Sequence, residues 1–350
     1  YESDWVEVRK GPDTDVKYPP DELCAPLNFY REDYFMRKPT VFSFYDKIEE
    51  PHYAKPLFLD MVMDVLTDSG DIVLINRDIF AADDWSVIKA GSAEGHLTVH
   101  VDREGPVTIV TIDRPDVRNA VDRPTADALT EAFRAFDAED DQRVAVLTGA
   151  GGTFCAGADL KAINSGEAGS LATKRGGFAG FVYRDRRKPV IAAVDGLATA
   201  GGCEIVLAAD LVVATTRSAF GLAEAKRNLI AGAGGLFRLP RAIGQAAAME
   251  AILTGEPIPA DRAHALGLIS RLVEPGEAVD EGLRLAAQIT ACAPLAVWES
   301  RAIVRAAATE DDDTLIRRTN EAFSRIMGSE DTKEGLTAFI EKRPPDWKAR

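Results

Sequence analysis

The sequence predicts an α/β fold: a layered core over residues 95–275, a helical region over 276–350, and a separate aromatic-rich segment over 1–90. Three observations carry this. From Leu97 onward, short β-branched runs alternate with helical patterns, the signature of strands and helices stacked in layers. Beyond Pro259 the pattern becomes mostly helical. Composition changes near residue 90, since 14 of the 26 aromatic residues fall in the first 90 positions while only five alanines precede position 91. Gly91 to Gly95 reads as the linker.

Each element follows from local chemistry. In the first segment, turn formers (Gly11-Pro12-Asp13, Pro19-Pro20-Asp21) precede a hairpin-like stretch from Asp71 to Asn76. No catalytic motif stands out there, and the segment reads as a packing module, a surface for a protein partner, or the tail of a longer domain cut off upstream. Val107 to Ile112 is a strand that ends at the Asp113-Arg114-Pro115 turn. Asp122 can cap a helix that accepts Pro124 in its first turn and repeats Ala126, Leu129, Phe133 and Phe136 on one face. Val144 to Thr148, Pro189 to Val194 and Leu211 to Thr215 read as further strands. Residues 260–266, 277–292, 295–308, 312–327 and 331–341 read as helices without internal proline.

Composition excludes several classes of function. The 41 Lys and Arg against 56 Asp and Glu give a net charge of -15, which leaves no positive field for a nucleic acid backbone. The four cysteines, Cys24, Cys155, Cys203 and Cys292, lack the close spacing of zinc or redox motifs and read as reduced thiols of a cytoplasmic protein. No metal site is expected. No window approaches 18 uncharged apolar residues, so no membrane span is expected. The chain begins at Tyr1 rather than Met, which leaves its true N-terminus open. His52, His96, His100 and His264 lie apart from every motif, which removes a Ser-His-Asp mechanism.

The motifs come in a fixed order: Arg114 to Ala120 (RPDVRNA), Phe154 to Leu160 (FCAGADL), Ala200 to Glu204 (AGGCE), Phe220 to Glu224 (FGLAE), Gly232 to Gly235 (GAGG), Arg238 to Arg241 (RLPR), and Glu334-Gly335 through Arg343. Over roughly 255 residues this set resembles the enoyl-CoA hydratase (crotonase) superfamily. The resemblance implies a spiral of ββα repeats with a C-terminal helical oligomerisation region, forming trimers or hexamers. It also implies an acyl-CoA thioester substrate, with coenzyme A part of that substrate and no separate cofactor.

The residues themselves fit thioester chemistry. Gly157-Ala158 and Gly201-Gly202 sit at strand-to-helix transitions, where unpaired N–H groups can face an anion. In isolation, a Gly-Gly pair more often serves a tight turn. Glu204 lies one helical turn beyond Gly201, inside an otherwise apolar run that is hard to place on a surface. Glu224 follows a strand and a turn and can return to the same cleft. Two carboxyl groups facing one water can divide acid and base work.

By resemblance, the Ala158 and Gly201 amides form the oxyanion hole, and Glu204 and Glu224 carry out syn hydration of a 2-enoyl-CoA. Glu204 aids attack of water on Cβ and Glu224 supplies the proton to Cα. Also by resemblance, Arg118, Ala156 and Ala158 contact CoA, while Phe323 and Lys342 reach it from a neighbouring subunit. The segment 161–187 would cover the acyl group, loosened by its glycines and lined by Phe178, Phe181 and Tyr183. Three positions depart from the family pattern: Ala200 where the first glycine of a triple is common, and Ala223 and Ala231 where proline is frequent. The alternatives are an isomerase or another lyase or hydrolase of the superfamily, and a non-catalytic oligomeric scaffold.

Overall fold

The apolar runs become strands buried on both faces. In the computed structural model the described residues are 97–164 and 168–350, together with the backbone of two short strands, Val73–Leu74 and Ile88–Lys89, which pair antiparallel. That pairing gives the expected stretch at 71–76 a partner; the other readings on residues 1–90 lie outside the described residues. The chain divides into two units, Tyr1–Leu97 and Thr98–Arg350. The second contains every motif from Arg114 onward.

Strands β1 (Val99–Glu104) and β2 (Val107–Ile112) pair antiparallel across the two-residue loop Gly105–Pro106. Strand β2 then pairs in parallel with β3 (Val144–Gly149), β3 with β4 (Val190–Val194), β4 with β6 (Leu211–Thr215), and β6 with β9 (Arg271–Val273). A second sheet holds β5 (Leu197–Thr199) and β7 (Ala219–Gly221) in parallel, with β8 (Ile258–Pro259) antiparallel at its edge. Single parallel bridges, Cys155 to Ala198 and Val121 to Ala158, carry this layer backward along the chain.

The result is a spiral in which each coil gives one strand to the first sheet, a strand or bridge residue to the second, and then a helix. The coils run β2, Val121 and α1 (Arg123–Ala138); β3, Cys155 to Ala158 and α2 (Leu160–Asn164); β4, β5 and α3 (Gly201–Ala208); and β6, β7 and α4 (Gly235–Ile243). In the first three coils the helix follows the second layer directly, which lines up their small-residue motifs; in the fourth, the turn Glu224–Arg227 and the residues up to Gly234 come between β7 and α4.

Burial of both faces explains why the inner strands β3 and β4 are almost wholly apolar. In β3 and β4, Ala145, Leu147, Val190, Ala192 and Val194 face the main core, which α1 closes with Leu129, Phe133 and Phe136. Val146, Ile191, Ala193 and Val213 face the other way, onto α7 (Ala278–Thr290). There Gly282 lets the helix sit close, since a Cβ on it would lie 3.3 Å from Val146 Cγ1. The Asp122 cap of α1 forms as expected, its carboxylate accepting from the Thr125 amide at 3.0 Å.

Two expectations fail at 161–187. Phe181 does not line a pocket; it is buried in the core with its ring 4.6 Å from that of Phe133. Gly176, Gly177 and Gly180 do not loosen their part of the segment either, while Gly169 has open space around it. A Cβ on Gly180 would lie 1.9 Å from Thr130 Oγ1, so the chain presses tightly on α1 at that point.

Candidate active site

Helix α3 is buried along nearly its whole length and carries one carboxylate, Glu204, which is 3% exposed. A buried carboxylate needs hydrogen bonds. Here the amides of Ala233 and Gly235 both donate to Oε1, at 2.7 and 2.9 Å. Gly235 is required for this approach, because a Cβ there would come within 3.1 Å of Glu204 Cγ. Burial pushes the Glu204 carboxyl up to about 7, with the Glu224 charge adding to the effect; the Gly235 and Ala233 amides and the Arg238 cation oppose it.

Glu224 opens the short 3-10 turn Glu224–Arg227, after β7. Its carboxyl is also raised, chiefly by burial, and its Oε2 is buried with no hydrogen-bond partner among the described residues. The structure thus brings Glu204 and Glu224 into electrostatic contact from successive coils. Burial raises both carboxyls above their ordinary range, Glu204 to about 7, a property common at acid–base sites.

The expected oxyanion amides also come together. Val121 donates to Gly157 O and accepts from Asp159 N, so the Ala158 N–H between them points away from that bridge. A Cβ on Gly157, which sits at φ +94, would lie 2.8 Å from the Gly201 nitrogen, so these two backbone segments are in contact. Gly202 is pressed equally hard, its added Cβ falling 2.0 Å from Cys155 O. Among the described residues, neither the Ala158 nor the Gly201 amide donates a hydrogen bond. The Phe178 ring stands beside Gly201, as a residue lining the site would.

Arg118 is exposed, and its carbonyl accepts from the Ala156 amide at 3.0 Å, so Arg118, Ala156 and Ala158 form one neighbourhood. Phe323 lies on α9 (Asp312–Met327), 64% exposed, and Lys342 caps α10 (Glu330–Glu341). Within one chain, no hydrogen bond, ion pair or ring contact among the described residues joins either of them to the carboxylates. No group of three or more potential ligand side chains among the described residues could hold a metal ion. No helix there is long and apolar enough to cross a membrane.

Sequence reasoning missed the amides of Ala233 and Gly235 because backbone donors carry no side-chain signal; the Gly232-to-Gly235 run was the only trace of them. It also missed Asn119. This buried side chain accepts from the Arg114 amide at 2.7 Å and donates to the carbonyls of Ala150 and Thr153 at 2.9 and 2.6 Å. It thereby pins the loop that precedes Cys155.

A family model described as enoyl-CoA hydratase/isomerase matches residues 102–350. The chain belongs to the enoyl-CoA hydratase/isomerase family. It is 40% identical over 259 residues to a carnitinyl-CoA dehydratase of Salmonella paratyphi A, a match covering 72% of this chain and 99% of that protein. The crystal structure of an enoyl-CoA hydratase from Mycobacterium tuberculosis is similar at 45% identity and TM-score 0.71, with 73% of this chain and all of that chain covered. A carnitinyl-CoA hydratase from Mycobacterium avium is similar at 44% identity and TM-score 0.57, with the same coverage. The chain is accordingly a hydratase of the crotonase type, an enzyme of the lyase class.

One departure from the family's common pattern now has a physical meaning. Ala200 caps α3 at φ 50, ψ -126, a conformation that glycine adopts freely and an L side chain resists. Ala200→Gly is therefore expected to stabilise the protein by about 1 kcal/mol, net of the entropy glycine adds to the unfolded chain. A urea unfolding midpoint that falls instead of rising would contradict this.

Proposed function

We propose that this enzyme is a 2-enoyl-CoA hydratase that adds water in syn fashion across the double bond of a thioester. The observation that carries this reading is the Glu204 carboxylate. Two backbone amides hold its Oε1, its protonation is poised near neutrality, and Glu224 lies close enough for its charge to raise the Glu204 carboxyl further. Glu204 assists attack of water on Cβ, Glu224 supplies the proton to Cα, and the amides of Ala158 and Gly201 hold the thioester oxygen as negative charge develops. Arg118, Ala156 and Ala158 serve CoA within the chain. Phe323 and Lys342 serve it from a neighbouring subunit of a trimer or hexamer. The exposure of Phe323, Phe339 and Ile340 on α9 and α10 supports such an assembly.

A second reading concerns the acyl group. The likeness to a carnitinyl-CoA dehydratase over 99% of its length supports a carnitinyl thioester, whose dehydration is this same chemistry run backward. The test is loss of enoyl-thioester absorbance with crotonyl-CoA, a longer 2-enoyl-CoA and the dehydration product of carnitinyl-CoA, in water enriched in oxygen-18. Hydration places the label in the product. Migration of the double bond without label would replace the proposal with an isomerase, and no reaction from folded, CoA-binding protein would sink it.

A further inference from the structure

The segment 176–187 and the Arg238-to-Arg241 motif meet at the turn that holds Glu204. One side of the turn Gly232 to Gly235 donates the Ala233 and Gly235 amides to the carboxylate. On its other side, the Tyr183 hydroxyl donates to Gly232 O at 3.0 Å and Arg238 Nη1 donates to Ala233 O at 3.1 Å. Arg238 Nη2 also donates to Val182 O at 2.6 Å, and its guanidinium lies 5.3 Å from the Tyr183 ring centre. Gly234, at φ +103, sits against this guanidinium, where a Cβ would come within 2.2 Å of Nη1. One planar cation thus fastens two chain segments to each other, and the second of them directs a carboxylate.

We propose that Arg238, together with Tyr183, is a positioning residue for the turn that aims Glu204: Tyr183 holds the Gly232–Ala233 peptide, whose N–H donates to the carboxylate, and Arg238 holds the Ala233–Gly234 peptide between the two donating amides, linking the segment at 176–187 to the geometry of that carboxylate. This rests on the role given to Glu204 under the proposed function. The guanidinium suits the task because its planar fork reaches two carbonyls in fixed relative positions, which a lysine cannot do. Its charge also favours ionised Glu204. The other titratable groups facing Glu204 are Glu224 and Cys203, while Arg238 itself faces Tyr183, Arg241 and Arg305.

The test compares Arg238→Met, Arg238→Lys and Tyr183→Phe with the parent in crotonyl-CoA hydration across pH, with Glu204→Gln alongside. Arg238→Met should lose about 30-fold in kcat with KM within roughly twofold, the scale expected when a reacting group is displaced by about an ångström. Its acidic limb should move to higher pH, because the cation that favours ionised Glu204 has gone. Arg238→Lys keeps the charge but not the fork, so it should lose roughly fivefold in kcat with the limb unmoved. Tyr183→Phe should lose about threefold, also without a shift.

Parental kcat and limb in folded Arg238→Met would overturn the proposal, as would a loss confined to KM. If Arg238→Met does not fold, unchanged kcat in both Arg238→Lys and Tyr183→Phe overturns it instead. A fully active Glu204→Gln removes the role assigned to Glu204 and this proposal with it. An inactive Glu204→Gln beside an unaffected Arg238→Met removes the positioning role alone.

Discussion

Glu204→Gln is expected to lower kcat for hydration by about 10³-fold while raising stability at pH 8. The amide can keep one oxygen facing the Ala233 and Gly235 N–H groups, so the fold has no reason to change around it. What disappears is the ability to take a proton from water. The stability gain has a definite sign. Burial raises the folded-state carboxyl from 4.5 to about 7, so the folded protein holds this proton more tightly than the unfolded chain does. Below about pH 4.5 both states are protonated and the group costs nothing. As pH rises toward 7 the parent progressively loses stability, amounting to about 3 kcal/mol once the carboxylate is ionised. The glutamine variant escapes this loss, so its melting temperature should match the parent near pH 4.5 and exceed it at pH 8. A variant less stable than the parent at pH 8 would contradict the burial argument, and one that retains full activity would contradict the assigned role.

Gly157→Ala is expected to cost about 10² to 10³-fold in kcat, the usual effect of losing one oxyanion donor. The added methyl would meet the Gly201 nitrogen at 2.8 Å and Thr199 O at 3.1 Å, at a backbone φ of +94 that alanine resists. The chain can relieve this only by moving the Gly201 amide, one of the two donors. Gly105→Ala is the control, since Gly105 also has a positive φ, +56, but its Cβ would meet nothing within 4 Å. It should lose stability and keep its kcat. If Gly157→Ala behaved like Gly105→Ala, with only a stability loss, the contact between these coils would have no part in the chemistry.

Much of the sheet and its helices was legible because the inner strands are runs of apolar and β-branched residues with sharp turn residues at their ends; Val99–Glu104, mostly polar and exposed, lacks that signature. Val107–Ile112 and Leu211–Thr215 fall where the sequence places them, as does the helix Asp312–Met327. The helices Gly235–Ile243 and Gln245–Thr254 did not stand out. Pro240 lies inside the first, so local chemistry argued against helix there and packing overrode it; the second is a short alanine-rich run closed by Gly255 in the left-handed region. Glu204 was legible as a candidate site residue because one acid in an apolar helix needs a reason. Arg238 was not, since nothing in a linear pattern tells which carbonyls a guanidinium will reach. Phe181 was misplaced for a related reason: an aromatic residue in a glycine-rich segment reads the same whether it faces a cavity or a core.

The order of the coils bears on when activity can arise during folding. The second coil holds Ala158, the third holds Gly201 and Glu204, and the fourth holds Glu224; the amides that restrain Glu204 arrive only at residues 233–235. A chain growing from its N-terminus would assemble the paired amides first and expose an unrestrained Glu204 until the fourth coil docks. Catalytic competence would then be a late event, and the gain of hydratase activity in refolding should lag behind formation of the parallel sheet.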